Sequence, residues 1–392
     1  MTTAEPTTVV SSFSPAELYA RILRNEPTFI LDVRNEDEAA RSPIEGRTNL
    51  TTLNLPYFAF LEDEDGCAAQ VPQGREIMVV CAKEGSSQYV AGLLAERGYR
   101  TRYLEGGYTS WGNFYDVRDV VNAAWGRIVQ IARPARGDLS FAVISGTQAA
   151  VIDPMRHIDV YTNLIAEAGA TLTHAFDTHV HADHISGGPA LADATGATYY
   201  VHAYDAIHPI DMLPAVIAYT HIEEGHSFKI GEVTITAHWF PGHTLGQVNY
   251  RLGAPDGSSG LFTGDGIFLR SFGRPDLGGK GEAWTPMLYR SLTERLPAMA
   301  DASTLILPAH FSDLDEGTSE GIFAAPFAEV QATNDALKPR DEAEFTTYVL
   351  SHLPVFPPEY VEIKRVNIGL VIPCDGKANE LELGKNICAL AK

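Results

Sequence analysis

The sequence predicts a two-domain α/β protein, and three observations carry that prediction. At 392 residues the chain exceeds the ~250–300 at which a single core stops growing. Residues up to about 115 alternate buried apolar runs with helical patterns, the order of a parallel-sheet domain. Beyond about residue 125, short strand-like runs follow one another before helical pattern returns, so a second sheet-bearing unit starts there. The boundaries expected are 1–118 for the first domain, 125–370 for the second and 371–392 for a C-terminal tail.

In chain order, Ser14-Pro15 opens a helix, with serine as cap and proline at the first helical position. Phe29-Ile-Leu-Asp-Val33 reads as a buried strand and Ile77-Met-Val-Val-Cys81 as a second. A helix over about 86–97 stops at Gly98, and a short strand precedes Gly106-Gly107. Cys81 therefore stands where a strand ends and a helix begins. Backbone N–H groups and the helix dipole favour a thiolate at such a turn; the alternative is a small buried hydrophobe closing a strand. From Asp116 to about Ala124 clear periodicity lapses, which places the seam there. The runs 126–131, 140–144 and 149–153 read as strands of β-hairpins, followed by a helix over 158–169 and a strand over 172–178.

Directly after that last strand stands His179-Val-His181-Ala-Asp183-His184. Further on come His243 in Phe-Pro-Gly-His-Thr, Asp265 in Phe-Thr-Gly-Asp and His310 in Leu-Pro-Ala-His. All seven are metal-ligating side chains, and a loop leaving a strand can turn several of the first four towards one point. Imidazole and carboxylate ligands without cysteine suit zinc, iron or manganese, and softness alone does not choose among them.

The net charge of −21 argues against a nucleic-acid partner, because such binding draws on a basic surface to neutralise phosphates. No stretch reaches the ~18 apolar residues of a membrane span, and the first thirty residues lack a leader pattern. A soluble, cytoplasmic protein without membrane partners is expected. Four cysteines, at 67, 81, 374 and 388, are too sparse for a disulfide framework. Cys67, Cys374 and Cys388 are assigned no role.

The Thr-His-x-His-x-Asp-His run, with its later Pro-Gly-His, Gly-Asp and final histidine, resembles the metallo-β-lactamase superfamily over roughly 125–370. That resemblance implies an αββα sandwich. Residues 12–115 resemble a single-domain rhodanese through Leu31-Asp-Val-Arg34, Pro43-Ile-Glu-Gly46, the loop Cys81-Ala-Lys-Glu-Gly-Ser-Ser87 and Leu104-Glu-Gly-Gly-Tyr-Thr-Ser-Trp111. This second resemblance makes Cys81 a carrier of persulfide sulfur. Glu84 and Ser86 depart from that family's loop, which has glycine and usually arginine there, so Lys83 is the loop's one cation.

Within the superfamily, Asp265 stands where some β-lactamases have cysteine and His181 where flavodiiron proteins have glutamate, which argues against both chemistries. Two branches remain. The stretch Arg270-Ser-Phe-Gly-Arg274-Pro-Asp276 resembles the Arg-x-x-Gly-Arg-x-Asp of persulfide dioxygenases. That branch implies one Fe(II) per chain on His179, His243 and Asp265, a two-histidine, one-carboxylate set with open positions for substrate and oxygen. His181, Asp183, His184 and His310 would be its outer partners or hold a second metal, and Arg270 and Arg274 would border the substrate. The implied reaction is O2-dependent oxidation of a low-molecular-weight persulfide, such as glutathione persulfide, to sulfite and free thiol. Phe311-Ser312 follows His310 where that branch commonly has Asp-Tyr. The other branch, glyoxalase II-like thioester hydrolases, implies two zinc ions on all seven residues, with the N-terminal domain as a docking module. A homodimer is compatible with either.

Overall fold

A computed structural model describes residues 10–390; residues 1–9 and 391–392, the outermost ends of the expected first domain and tail, lie outside the described residues. The first sheet holds β1 (Ser12–Phe13), β2 (Thr28–Asp32), β3 (Leu50–Asn54), β4 (Glu76–Val80) and β5 (Arg100–Leu104), all parallel in the order β1-β5-β4-β2-β3. Parallel strands covered on both faces are continuous apolar runs, and Thr28–Asp32 is buried at every position. The Ser14 hydroxyl accepts from the Glu17 N–H and caps the helix Pro15–Leu23. The helix after β4 spans Gly85–Glu96.

The second domain is two sheets face to face with helices outside. Its first sheet holds β6 (Asp116–Ala123), β7 (Gly126–Arg133), β8 (Asp138–Ser145), β9 (Gln148–Ile152), β10 (Thr171–Phe176), β11 (Thr198–Val201) and β12 (Thr220–His221), neighbouring in chain order. Its second holds β13 (Ser227–Ile230), β14 (Val233–Trp239), β15 (Val248–Gly253), β16 (Ser259–Gly264), β17 (Leu305–Pro308) and β18 (Ala325–Pro326), likewise in chain order. Inward rings meet between them, Phe141 against Phe262 at 5.5 Å and Phe176 against Tyr250 at 4.9 Å between centroids. The outer face of the first sheet is covered by the helices Asp159–Glu167 and Gly188–Thr195, through Tyr161, Ile165 and Leu191. No helix among the described residues is long and apolar enough to cross a membrane.

Two expectations fail. Residues 116–123, read as a seam, form edge strand β6 of the second domain. A register shift between Asp119 and Val121 breaks the two-residue alternation by which a strand is recognised in sequence. Residues 371–390 are not a loose tail: the helix Asp375–Leu381 lies in the seam between the domains, and Glu382 and Cys388 behind it are buried. Arg133 of β7 donates to Glu382 and also to the Gly112 carbonyl and Asn113 of the first domain. Arg156 reaches the same carboxylate, which also accepts the Ile185 N–H just past the metal motif. Glu382 thus ties the two domains to the centre described next.

Candidate metal centre

Every one of the seven predicted ligands sits just beyond the C-terminal end of a strand. His179, His181, Asp183 and His184 follow β10, His243 follows β14, Asp265 directly follows β16, and His310 follows β17. β14, β16 and β17 run in one direction, since β14 and β16 each pair antiparallel with β15 and β16 pairs parallel with β17. Their ends therefore open on one edge of the sandwich, opposite the end of β10 in the facing sheet. Glycine is needed at 264, where φ is +50° and a Cβ would lie 2.3 Å from the Thr178 hydroxyl. That close approach lets Asp265 turn inward beside the histidine loop.

All seven side chains are buried, and they form two groups. His179, His243 and Asp265 offer ligand atoms within 4.8 Å of one another, as do His181, Asp183, His184 and His310. Asp265 lies between the groups: one oxygen is 3.3 Å from His243 Nε2 and 4.0 Å from His179 Nε2, the other 3.1 Å from His310 Nε2. The inward atoms His179 Nε2, His243 Nε2 and both Asp265 oxygens are buried without a hydrogen-bond partner among the described residues. Buried polar atoms left unmatched this way carry a large desolvation cost, and a cation among them removes it. The outward ring nitrogens are engaged: His243 Nδ1 donates to the Arg274 carbonyl at 2.8 Å, and His179 Nδ1 lies 3.0 Å from the Thr178 hydroxyl. Burial, with neighbouring imidazoles, holds His179 well below the usual histidine range, and burial lowers His243 too. Both are then neutral, the form that ligates metal. Burial alone would also depress His310, but Asp183 and Asp265 outweigh it and hold its pKa well above the ordinary value.

The residues beneath the ligands went unnoticed in the sequence. Asp153 closes β9 with φ of +52°, an uncommon conformation for a non-glycine residue. Its carboxylate accepts from the Thr178 N–H and hydroxyl and lies 3.0 Å from His181 Nε2. Burial would lower His181, yet Asp153 raises it to about 9. Cys388, assigned no role from sequence, is fully buried with Sγ in one cluster with Asp265 and His310. The signal for Asp153 was a carboxylate ending a strand opposite the motif; for Cys388 the sequence held none.

In the first domain Cys81 leaves β4 as expected and is 4% exposed, its thiol donating to Ser87 Oγ at 3.2 Å. Its carbonyl accepts the Tyr108 N–H, and the Ala82 carbonyl accepts Thr109. Gly107, at φ +59°, permits this, for a Cβ there would lie 2.5 Å from the Cys81 carbonyl. Glu84, the departure from the family loop, accepts the Gly106 N–H and so pins the loop to the next turn.

The two arginines are placed differently. Arg274 is fully buried, paired through two nitrogens with Asp276 and donating to the carbonyls of Pro354, Val355 and Ile387. With every donor group engaged, it has none for a substrate anion, so the expected binding role is replaced by a clamp on the C-terminal segment. Arg270 is exposed and donates to the Asp315 carbonyl. Because the Arg274 carbonyl anchors His243, Arg274→Lys, which cannot reproduce the fork, should cost about 1.5–3 kcal/mol of stability. It should also weaken metal binding roughly 10- to 100-fold, read by metal analysis and denaturant titration; unchanged values in both would contradict the clamp.

Residues 14–114 match the rhodanese-like domain, and residues 134–310 match the metallo-beta-lactamase superfamily. Uncharacterized protein ML0493 of Mycobacterium leprae is 30% identical in an alignment of 185 residues that covers 42% of this chain and 82% of that protein. The chain belongs to the metallo-beta-lactamase superfamily. Ahead of that superfamily's domain it carries a rhodanese-like domain. Human persulfide dioxygenase ETHE1, mitochondrial, is 35% identical over 164 residues, 42% of this chain. The chain spans 59% of that relative's length. The superfamily fold is seen also in a metallo-beta-lactamase from Staphylococcus aureus subsp. aureus COL, whose crystal structure matches with a TM-score of 0.51 at 24% identity, covering 64% of this chain and 72% of that one.

Proposed function

We propose that the chain is a persulfide dioxygenase, converting a low-molecular-weight persulfide, O2 and water to sulfite and free thiol, with Fe(II) on His179, His243 and Asp265 as its metal. The observation that carries this reading is the joining, in one chain, of a two-histidine, one-carboxylate trio to a rhodanese-like domain that presents Cys81 at a strand-to-helix turn. The persulfide dioxygenase activity by which the human relative is named supports it. A site of this donor type leaves open positions for substrate and oxygen, and the iron supplies the redox chemistry between them. In the balance, the outer sulfur gains three oxygens, two from O2 and one from water; the sulfur–sulfur bond breaks, the inner sulfur leaves as thiol, and O2 is reduced.

The protein's own groups position and exclude. Thr178 and the Arg274 carbonyl fix the two imidazoles with Nε2 inward, and His310 Nε2 stands 3.1 Å from the other oxygen of Asp265. Burial of all seven side chains places the metal site in a low-dielectric setting, where electrostatic interactions are strengthened. Cys81 would exchange sulfur with the product or substrate of this centre. On that reading Cys81→Ser abolishes sulfur transfer from thiosulfate to cyanide and leaves persulfide-dependent oxygen uptake in place; equal transferase rates in variant and parent remove Cys81 from the chemistry.

A second reading is a dinuclear zinc thioester hydrolase. It is favoured by His181 Nδ1, both His184 ring nitrogens and both Asp183 oxygens, which are buried without a hydrogen-bond partner among the described residues. Metal analysis together with oxygen uptake separates the two. One iron per chain with uptake on glutathione persulfide upholds the dioxygenase; two zinc ions with thioester hydrolysis and no uptake replaces it.

A further inference from the structure

One buried carboxylate outside the ligand set touches both histidine loops of the trio. β10 and β11 are parallel neighbours, so the chain leaves both at the same edge, and Asp205 in the turn after β11 lies beside the loop that carries His179. Its carboxylate accepts the Val180 N–H at 2.9 Å, the Thr244 hydroxyl at 2.8 Å and the Gly246 N–H at 2.7 Å. Val180 is the residue after His179, and Thr244 is the residue after His243. The His179 loop leaves the first sheet of this domain and the His243 loop leaves the facing one. Asp205 therefore bridges the open edge of the sandwich, one residue from a ligand on each side.

The bridge is tightly built. Asp205, Val180 and Thr244 are all buried, where hydrogen bonds to an ionised acceptor are short and strong. Gly246 permits the approach, since a Cβ there would lie 2.7 Å from the Asp205 carboxyl carbon. On the other side of Val180 the carbonyl accepts from the buried Lys364 ammonium at 2.6 Å, so this one residue is held at both its N–H and its C=O. Lys364 belongs to the helix Glu359–Asn367, and three residues on Asn367 donates to the carbonyls of His181 and His184. Burial lowers the Lys364 pKa, and Asp205 is foremost among the groups that hold it up. The contacts of Thr178 and the Arg274 carbonyl each act on one imidazole; Asp205 acts on both loops at once.

We infer that Asp205 is a positioning residue of the metal centre: by tying Val180 to Thr244 it sets the separation of His179 and His243, whose ring centroids stand 4.8 Å apart, and so the geometry in which the pair meets a metal. This role is independent of the reaction, because both the one-metal and the two-metal readings use these two histidines as ligands.

The test is titration of the metal-free full chain with Co(II), reading affinity and the visible absorption of the bound ion, which reports its coordination geometry. Asp205→Asn keeps the size of the side chain but turns an amide NH2 towards groups that are themselves donors. It should weaken Co(II) binding roughly 10- to 100-fold, the range for groups that orient ligands, and shift the visible bands. Thr244→Val removes only the hydroxyl link to the His243 loop. It should weaken Co(II) by about two- to tenfold, shift the same bands, and cost much less in the Asp205→Asn background, where the link is already impaired. The melting temperature of the metal-free chain separates a purely structural role: Asp205→Asn melting earlier yet binding Co(II) with parental affinity and parental bands overturns the inference, as does full additivity of the two substitutions. If Asp205→Asn fails to fold, Thr244→Val decides alone, and parental affinity and bands in it overturn the inference equally. Oxygen uptake by the parent is scored separately: its absence refutes the dioxygenase reading, while shifted bands in Asp205→Asn uphold the role of Asp205.

Discussion

Asp265→Ala is expected to abolish persulfide-dependent oxygen uptake and to strip most of the metal from the purified chain. Asp265 is the one carboxylate of the trio, with its two oxygens turned to His243 and to His310. Removing it takes away a ligand and a negative charge in a fully buried site. The loss should exceed the roughly 10- to 100-fold typical of residues that only support a ligand. His310→Ala supplies the comparison. If His310 orients Asp265 without ligating iron, its loss lowers activity while much of the metal stays bound. Metal loss from His310→Ala as complete as from Asp265→Ala would instead place His310 in the coordination sphere and favour the dinuclear reading.

Glu382→Gln should be the most destabilising single change away from the metal, by about 3–5 kcal/mol, the usual range when one partner of a buried ion pair is removed. Glu382 is the shared carboxylate of Arg133 and Arg156, and the first of these arginines is itself fully buried. Burial alone would raise the Glu382 pKa, but the arginines outweigh it and bring it down to about 2 from an ordinary 4.5. A depressed folded-state pKa means that the contribution is complete above about pH 4.5 and fades as pH falls towards 2. At about 1.4 kcal/mol per unit, roughly 3 kcal/mol is lost across that window. Denaturant midpoints at a series of acidic pH values should show the parent losing stability there while Glu382→Gln stays flatter. Parallel pH profiles for the two proteins would show that the carboxylate carries none of this dependence.

The metal ligands were legible because ligand chemistry leaves few alternatives when His179, His181, Asp183 and His184 crowd together at the end of a predicted strand, and three more such residues each sit in a Gly or Pro turn. The paired domains were legible from hydrophobic runs for the same reason that parallel strands are continuous. The arginine motif misled, because a guanidinium serves a ligand or a fold equally well until its partners are visible. For Arg274 those partners, at 354, 355 and 387, come from a distant return of the chain. Cys388 and Glu382 failed for that reason too. Their surroundings arise from tertiary packing of a segment with little periodicity, and nothing adjacent to them in sequence announces a metal centre or a domain seam. The strand β6 was hidden by a single bulge.

The placement of Cys388 against Asp265 and His310 also orders events during synthesis. Domains fold as they emerge, N-terminal first, at about 5–20 residues per second. The rhodanese-like sheet is complete once Leu104 has been made, and the trio of His179, His243 and Asp265 is present long before residue 388. The wall that Cys388 contributes, and the clamp of Arg274 on the Ile387 carbonyl, come last. Cys388 therefore cannot wall the centre until the chain has grown more than a hundred residues past Asp265.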